Sequence, residues 1–268
     1  MPGADRYLRI DMYKTSKVGV VVPAYNEELH IGAVLEGMPE YIDAVYVIDD
    51  GSTDRTGQIA SLWVTPGSRV HLLSHVRNRG VGAAIASGYR QCLADDMDIA
   101  VVMAGDNQMD PDLLPEMIGP VVDGRADYSK GTRMLVRGHR NGMSSWRILG
   151  NLILRWLTVI ATGNKGITDP QNGYTAISSE ALGRLNLDAL YPYYGYCNDL
   201  ITQMTVLGVS IVEICTPQVM HEGQKSHIKY GSYVVHVSGL LARCFVFRIG
   251  VTLRRHLHGR PVDYEIVR

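Results

Sequence analysis

The sequence predicts an α/β protein with a mostly parallel, doubly wound sheet. In the first half of the chain, short apolar runs typical of strands buried on both faces alternate with stretches of helical character. Strands that alternate with helices in this way indicate a parallel sheet. Acidic residues follow three of these runs where each strand ends, which is the edge at which open parallel sheets bind ligands. With 268 residues, the chain forms one large domain or two modest ones.

The first half contains alternating strands and helices after an N-terminal extension, residues 1–16. Strands are predicted at 18–22, 45–48, 70–73, 99–103 and 128–132, with helices that end near Met38, Leu62, Leu93 and Val122. Gly51 permits a tight turn after the second strand, and Ser52 or Thr53 is suited to cap the next helix. The small residues from Gly80 to Ala84 predict a helix that packs close to the sheet.

The second half is less regular. Strands are predicted at 174–177 and 209–214, and a tyrosine-rich stretch, 191–199, precedes a helix that ends near Leu207. An apolar stripe at helical spacing lies before them and consists of Trp146, Leu149, Ile153, Trp156 and Ile160. The stripe fits a core helix, but Arg147 and Arg155 flank it in a segment without acids, so an interfacial helix fits as well. Both interpretations stay open.

The chain is predicted to end in a helical segment that is associated with a membrane, residues 231–268. An apolar helix runs from Tyr233 to about Leu257 and is broken by His236, Arg243 and Arg248. Long arginine side chains can reach the headgroup region while their stems stay in lipid. A helix lying in the membrane interface therefore fits better than one that spans the membrane.

Charge is distributed unevenly, although 26 Lys and Arg nearly balance 27 Asp and Glu. Residues 129–165 contain seven Lys or Arg and no acid, and the same holds for residues 225–260. These segments indicate a surface that meets phosphate groups or an anionic membrane. We expect no nucleic-acid partner.

The cysteines and the N-terminus predict a cytoplasmic location. Cys92, Cys197, Cys215 and Cys244 show no C-x-x-C spacing, as expected for reduced thiols and not for a disulfide framework or a zinc site. Residues 1–17 lack the apolar core of a signal peptide. We expect a protein that is peripheral on the cytoplasmic face of a membrane.

The stretch from Asp98 to Pro111 is the centre of the predicted site. An apolar strand runs into a loop that carries Asp106 and Gln108, whose oxygens can face one bound Mg²⁺ or Mn²⁺. By itself this loop also fits a solvated acidic turn. However, Glu27, Asp50 and Asp106 follow three successive strands, so they would build one acidic pocket at the sheet edge. The alternative is that these acids cap helices.

Seven motifs occur in a characteristic order: VVPAYNEE, VIDDGSTDRT, NRGVGAA, AGDNQMDP, KGTR, TDPQNGYTAIS and EGQKSHIKY. In this order the chain resembles family 2 inverting glycosyltransferases with the GT-A nucleotide-diphospho-sugar transferase fold, over roughly residues 18–248. It is most similar to the branch of dolichol-phosphate mannosyltransferases and polyprenyl-phosphate glycosyltransferases. The resemblance implies a GDP- or UDP-sugar donor, Mg²⁺ or Mn²⁺, and a glycosyl acceptor. It also implies a catalytic domain at 17–230, followed by C-terminal interfacial helices.

The resemblance also implies roles for particular residues. Nucleotide binding falls to Pro23, Ala24, Tyr25, Glu27, Asp50 and Asp106, with Asp50 at the base or ribose. Asp106 and Gln108 match the metal ligands of a D-x-D-x-Q loop whose first aspartate is replaced here by Ala104. Arg133 resembles an arginine near the donor or acceptor phosphate. Lys225 lies in a segment that resembles one closing over the phosphates, and His227, two residues later, stands where the family often has lysine, so which of the two acts stays open.

The acceptor decides whether a catalytic base is needed. A sugar hydroxyl needs a carboxylate beside it, whereas a lipid phosphate is already anionic and needs positioning. The basic segments favour a polyprenyl phosphate. Asp199 is then a donor-positioning group; for a hydroxyl acceptor it would be the base, and a helix cap is the structural alternative. A glycan or glycolipid hydroxyl acceptor and an inactive nucleotide-sugar sensor stay open.

Overall fold

The computed structural model describes residues 15–134, 145–217 and 230–258, and these form an α/β fold around one sheet. The strands are β1 (Val18–Ala24), β2 (Ala44–Asp49), β3 (Val70–Ser74), β4 (Ile99–Val102), β5 (Tyr128–Thr132), β6 (Thr175–Ser178) and β7 (Ile211–Cys215). The helices are α1 (Ile31–Glu36), α2 (Thr56–Ser61), α3 (Val81–Ala94), α4 (Leu114–Val122), α5 (Ser145–Thr162), α6 (Ser179–Gly183), α7 (Tyr196–Leu207) and α8 (Tyr230–His258). The predicted α/β class is confirmed.

The sheet is mostly parallel, with strand order β3-β2-β1-β4-β6-β5-β7. β1 pairs in parallel with β2 and β4, and β2 with β3. β6 is antiparallel to both β4 and β5, while β5 and β7 are parallel. Because β6 is reversed, the loop that enters it lies at the same edge as the loops that leave β4, β5 and β7. That edge therefore gathers four loops in the second half of the sheet.

Helices cover both faces of the sheet, because successive residues of a strand point to opposite sides. Val21 of β1 packs in one cluster with Ile85 of α3 and Leu200 of α7. Its neighbour Val20 packs in the other cluster with Met117 of α4. The doubly wound arrangement predicted from the sequence is confirmed.

The two longest helices of the described residues, α5 and α8, pack against each other, and α8 also contacts α7. Ala161 of α5 shares an apolar cluster with Val237, Leu240, Leu241 and Cys244 of α8. Within the described residues, only His236–Arg254 is long and apolar enough to span a membrane by length and composition, and 28% of that stretch is buried. Most of its surface thus faces away from the protein.

Arg243 and Arg248 of α8 bond to the protein, so the prediction that these two arginines reach into the headgroup region is wrong. Arg243 donates from an Nη atom to Asp199 Oδ2 at 3.0 Å. Arg248 donates to the carbonyl oxygens of Ala161 at 3.0 Å and Ile160 at 2.9 Å. These carbonyls end α5 and lack helical partners, so Arg248 acts as a cap that joins the two helices.

Two further expectations are corrected. Ile153, Trp156 and Ile160 of the apolar stripe are more than half exposed, so a core role is wrong for them. Neither Ser52 nor Thr53 caps α2, whose N-cap residue is Arg55 without a side-chain bond. The side chains of Trp146 and Leu149 lie outside the described part of the structure.

Candidate active site

The ends of β1, β2 and β4 are joined by backbone hydrogen bonds at the carboxyl edge of the sheet. The N–H of Gly105 donates to the carbonyl of Pro23 at 3.1 Å, and the N–H of Asp50 donates to the carbonyl of Ala24 at 2.9 Å. A Cβ on residue 105 would lie 3.0 Å from Ala24 Cβ, so glycine permits this close approach. The loops after the three strands thus begin at strand ends that are hydrogen-bonded to one another.

The loop after β1 is fixed to the loop after β2 by side chains. Asn26 has a left-handed backbone, with φ of 57°, a conformation that asparagine tolerates. Its N–H donates to Ser52 Oγ at 3.0 Å, and its Oδ1 accepts from the N–H of Thr53 at 2.8 Å. The N–H of Glu27 donates to Thr56 Oγ1 at 2.7 Å. Ser52 and Thr53 therefore hold Asn26, the residue before Glu27, and do not cap α2.

The structure brings Glu27 and Asp106 close enough for their charges to interact. Partial burial raises the pKa of Glu27, and the negative charges of Asp106 and Asp54 add to this effect, so that the pKa reaches about 7. Burial also raises the pKa of Tyr194, and Asp106 and Glu27 add to this shift. The pocket thus concentrates negative charge that a cation would relieve.

The predicted metal ligands lie on the loop after β4, where the N–H of Gln108 donates to Asp106 Oδ1 at 3.1 Å. Among the residues that the structure describes, no group of three or more His, Cys, Asp or Glu is placed to hold a metal. One carboxylate and one amide still fit Mg²⁺, which commonly binds through one or two protein groups, waters and substrate phosphates. The excess negative charge around Glu27 supports this fit. The assignment of Asp106 and Gln108 stays a prediction.

Asp50 is buried, and hydrogen bonds from the protein occupy both of its carboxylate oxygens. Oδ1 lies 2.6 Å from His75 Nδ1 and accepts from the N–H of Arg79 at 2.9 Å. Oδ2 accepts from the N–H of Gly80 at 2.7 Å. Asp50 therefore connects β2 to the start of α3, and its predicted contact with the base or ribose remains untested.

The other predicted nucleotide residues differ in exposure. Pro23 and Ala24 are buried in the strand end, and their predicted part in nucleotide binding remains untested. Tyr25 is 44% exposed. An exposed tyrosine ring at this edge is suited to stack on a flat nucleobase.

Arg133 leaves β5 at the same edge and forms a two-pronged ion pair with Asp169, in the loop that enters β6. Arg133 Nε donates to Asp169 Oδ2 at 2.7 Å and an Nη atom donates to Oδ1 at 3.0 Å. Burial opposes both charges, but the hydrogen bonds and charge of the pair outweigh it, so the pKa of Arg133 is raised and that of Asp169 is lowered. Asp169 thus balances much of the positive charge that we predicted for a phosphate.

Asp199 lies in the first turn of α7 and is almost fully buried. Its Oδ2 accepts from the N–H of Tyr191 at 2.8 Å and from Arg243 at 3.0 Å. Burial raises its pKa, against the opposing effects of Arg243 and the Tyr191 N–H. Asp199 is therefore a buried, paired carboxylate whose bonds hold a loop and α8.

One predicted residue cannot be placed, and two important ones were not predicted. Lys225 lies outside the described residues, as does His227. Asp169 and Arg243 were not assigned to the site. Asp169 is the first acid after a long basic segment, and Arg243 interrupts an apolar run. A lone charge in such surroundings is the signal that each needs a partner.

The fold and the arrangement of loops define the class of the protein. A crystal structure of glucosyl-3-phosphoglycerate synthase from Mycobacterium tuberculosis, in complex with Mn²⁺ and UDP-glucose, superimposes with a TM-score of 0.67 and 25% identity. The match covers 91% of this chain and 84% of that one. Such neighbours are GT-A glycosyltransferases, and the predicted GT-A fold is confirmed.

The sequence model of glycosyl transferase family 2 matches residues 19–186, so the chain belongs to this family. It is 30% identical to the undecaprenyl-phosphate mannosyltransferase of Micrococcus luteus, over 85% of this chain and 96% of that protein. It is 31% identical to the polyprenol monophosphomannose synthase of Mycolicibacterium smegmatis, over 75% and 76% of the two chains. Three predictions are confirmed: the family, the resemblance to its polyprenyl-phosphate branch, and a glycosyltransferase enzyme.

Proposed function

We propose that this protein is a metal-dependent, inverting glycosyltransferase that moves a sugar from a nucleoside-diphosphate sugar to a polyprenyl phosphate. It acts at the cytoplasmic face of a membrane, with residues 17–230 as the catalytic domain and 231–268 as the membrane-associated segment. The relatives named for polyprenol-type acceptors support this acceptor class. All four thiols are free, as expected in a reducing compartment.

The observation that carries the acceptor assignment is an apolar face on the two packed helices α5 and α8. Eight large apolar side chains are between 41% and 68% exposed there: Leu152, Ile153, Trp156, Leu157, Ile160, Phe245, Val246 and Leu253. A groove of about 280 Å³ lies between the helices and is lined by residues that include Leu157, Leu241 and Phe245. Contiguous apolar surface of this kind marks an interaction site, and an isoprenoid chain or the acyl region of a bilayer matches its chemistry.

The acidic pocket at Glu27 and Asp106 supports the donor assignment. The diphosphate of a nucleotide sugar brings negative charge to a pocket that is already acidic, so a divalent cation between them is needed. Asp106 and Gln108 would hold that cation, which would stabilise the charge that develops on the departing diphosphate. The exposed ring of Tyr25 would stack on the base, in a chain whose structural neighbour binds UDP-glucose and Mn²⁺.

The bonding of Asp199 favours a phosphate acceptor over a sugar hydroxyl. A hydroxyl needs a carboxylate that is available to accept its proton. One oxygen of Asp199 already accepts from Tyr191 and Arg243. A phosphate oxygen is anionic and attacks the anomeric carbon without losing a proton, in line with the leaving diphosphate and with inversion. Asp199 then serves to position the loop beside the donor.

Transfer of radiolabel from a panel of labelled GDP- and UDP-sugars to a short polyprenyl phosphate tests the proposal. The reaction contains Mn²⁺ or Mg²⁺, and product is read by extraction into organic solvent. We expect labelled lipid with one donor, and its loss in Asp106→Ala while the protein stays folded by circular dichroism. Measurable donor binding without labelled lipid from any donor would refute the polyprenyl-phosphate acceptor.

Flotation with liposomes tests the membrane partner. We expect the wild-type chain to float with vesicles that contain anionic lipid, and Trp156→Ser to weaken this binding. Trp63→Ser is the matched control, because Trp63 is an exposed tryptophan outside α5 and α8. Equal losses in the two variants would show that the apolar face has no special role.

A further inference from the structure

The tyrosine loop, Tyr191–Gly195, lies between the C-terminal helix and the acidic pocket. On the helix side, Tyr191 packs against the apolar cluster that includes Val237 and Leu240. Gly195 approaches α8 so closely that a Cβ at this position would lie 2.8 Å from Leu240 Cδ2. Its φ of 111° adds a second reason for glycine. The loop is thus shaped to fit against α8.

One polar contact fixes the same loop to α8. Arg243 donates to Asp199 Oδ2 at 3.0 Å, and the same oxygen accepts from the N–H of Tyr191 at 2.8 Å. Arg243 also reaches the carbonyl of Ala189, at 3.5 Å. The Asp199 side chain is 10% exposed, so its carboxylate is shielded from solvent, whereas the Arg243 side chain is 56% exposed. Arg243 therefore controls the carboxylate that holds the first residue of the loop.

The far side of the tyrosine loop contacts the donor end of the sheet. The carbonyl of Pro192 accepts from the N–H groups of Gly82 at 2.8 Å and Ala83 at 3.2 Å, at the start of α3. Just before them, Gly80 donates its N–H to Asp50 Oδ2. Within the loop, Tyr194 is half exposed, and the charges of the acidic pocket reach its hydroxyl. Hydrogen bonds thus lead from Arg243 through Asp199 and the tyrosine loop to the start of α3, where Gly80 meets Asp50 at the end of β2.

We propose that Arg243 is a positioning residue for the donor: through Asp199 it holds the tyrosine loop, and with it Tyr194, against the pocket formed by Glu27 and Asp106. The C-terminal helix then contributes to use of the nucleotide sugar as well as to membrane contact. This inference rests on the proposed function, because it assigns the acidic pocket to the donor. Tyr194 has a ring and a hydroxyl suited to pack on a sugar or to donate to a diphosphate oxygen.

The test compares Arg243→Met with Arg243→Lys and with the control Arg248→Met. Calorimetric titration measures binding of UDP and GDP with Mn²⁺, and steady-state kinetics gives KM for donor and for acceptor separately. In Arg243→Met we expect a loss of about tenfold in nucleotide affinity and a matching rise in donor KM, because small displacements of a positioning group are costly. Acceptor KM stays unchanged. Arg243→Lys restores part of the loss, since it keeps one charged donor for Asp199.

The control and a double variant separate positioning from a general structural effect. Arg248 lies on the same helix and bonds to α5 rather than to the loop, so Arg248→Met keeps donor affinity and donor KM. Tyr194→Ala gives a loss similar to that of Arg243→Met, and the two changes together lower donor affinity no further than either alone. Additive losses, or equal effects of Arg243→Met and Arg248→Met, would overturn the role of Arg243.

The binding measurement also distinguishes the two proposals, because it needs no acceptor. A wild-type chain that binds neither nucleotide with Mn²⁺ would refute the proposed function and, with it, this inference. A wild-type chain that binds nucleotide while Arg243→Met keeps full affinity would overturn only the positioning role.

Discussion

Replacing Arg133 with methionine removes one partner of a buried ion pair and leaves the other in place. The Arg133 side chain is 19% exposed and Asp169 is 3% exposed, and two bonds of 2.7 and 3.0 Å join them. Loss of one member of a buried pair costs several kcal/mol, because an uncompensated charge remains. Partial exposure of the arginine places this change at the lower end, about 3 kcal/mol of unfolding free energy at neutral pH.

The size of the loss depends on pH in a defined direction. In the wild-type protein the pKa of Asp169 is lowered, so the pair stabilises the fold above the ordinary aspartate pKa and this contribution is lost as pH falls through the folded value. Without Arg133, the burial of Asp169 is opposed chiefly by Lys130 and a backbone N–H, so we expect the pKa of Asp169 to rise. The variant then relieves its unpaired charge by binding a proton in mild acid. The difference in stability between the two proteins is therefore largest near pH 7 and shrinks toward about pH 4.

Urea denaturation followed by circular dichroism measures both effects. A double variant, Arg133→Met with Asp169→Asn, removes both charges and should recover more than half of the lost stability, because neither member of the pair is left charged without its partner. A loss below about 1 kcal/mol, or one that is the same at pH 7 and pH 4, would refute the view that the pair is a buried, mutually dependent unit.

Three further changes test separate parts of the site. Glu27→Gln should raise Tm at about pH 8 and leave it unchanged near pH 4.5. The pKa of Glu27 is about 7 in the folded protein and ordinarily 4.5, so ionised Glu27 destabilises the fold as pH rises between these values. Equal Tm shifts at both pH values in a thermal scan would contradict this. Gly82→Ala should cost about 2 kcal/mol in urea denaturation, since its Cβ would lie 2.1 Å from the Tyr191 carbonyl oxygen; a neutral result would mean that the tyrosine loop gives way. Asp50→Asn should cost about 2 kcal/mol, because an amide NH₂ would face the N–H donor of Gly80 or the donors at the other oxygen; unchanged stability would show that Asp50 does not fix the start of α3.

Strands β1, β2 and β4 were predictable because each is a buried, mostly apolar run between turn signals. The predicted strand 128–132 coincides with β5, and the run predicted at 18–22 became β1, which extends two residues further to Ala24. The meeting of the strand ends also follows from the sequence, because parallel neighbours end at one edge. The position of Asp106 at that edge was therefore inferable without coordinates.

Other features depend on long-range contacts that a local pattern does not contain. Nothing in the run at 174–177 showed that β6 would be reversed between β4 and β5. The partners of Arg133 and Asp199 lie 36 and 44 residues away along the chain, so the sequence alone suggested that their charges are unpaired and available for catalysis. For the same reason, the sequence suggested that Arg243 and Arg248 of α8 face the membrane. For Arg133 and Asp199, burial changed the role of a charged group by forcing it to pair. Arg243 is 56% exposed, and it pairs because the buried carboxylate of Asp199 faces it.

The distance along the chain between the tyrosine loop and Arg243 has a consequence for synthesis. β1 to β4 pair among themselves, so this part of the sheet finds its hydrogen-bond partners early, while later residues are still being made. Tyr191 and Gly195 receive their contacts from α8 only after Leu240 and Arg243 have left the ribosome. We therefore expect a nascent chain without α8 to hold the first four strands paired while the tyrosine loop still lacks its helix contacts. Under the proposed roles of Arg243 and of the apolar face, donor binding and membrane contact would both depend on this helix, which is made after the rest of the described fold.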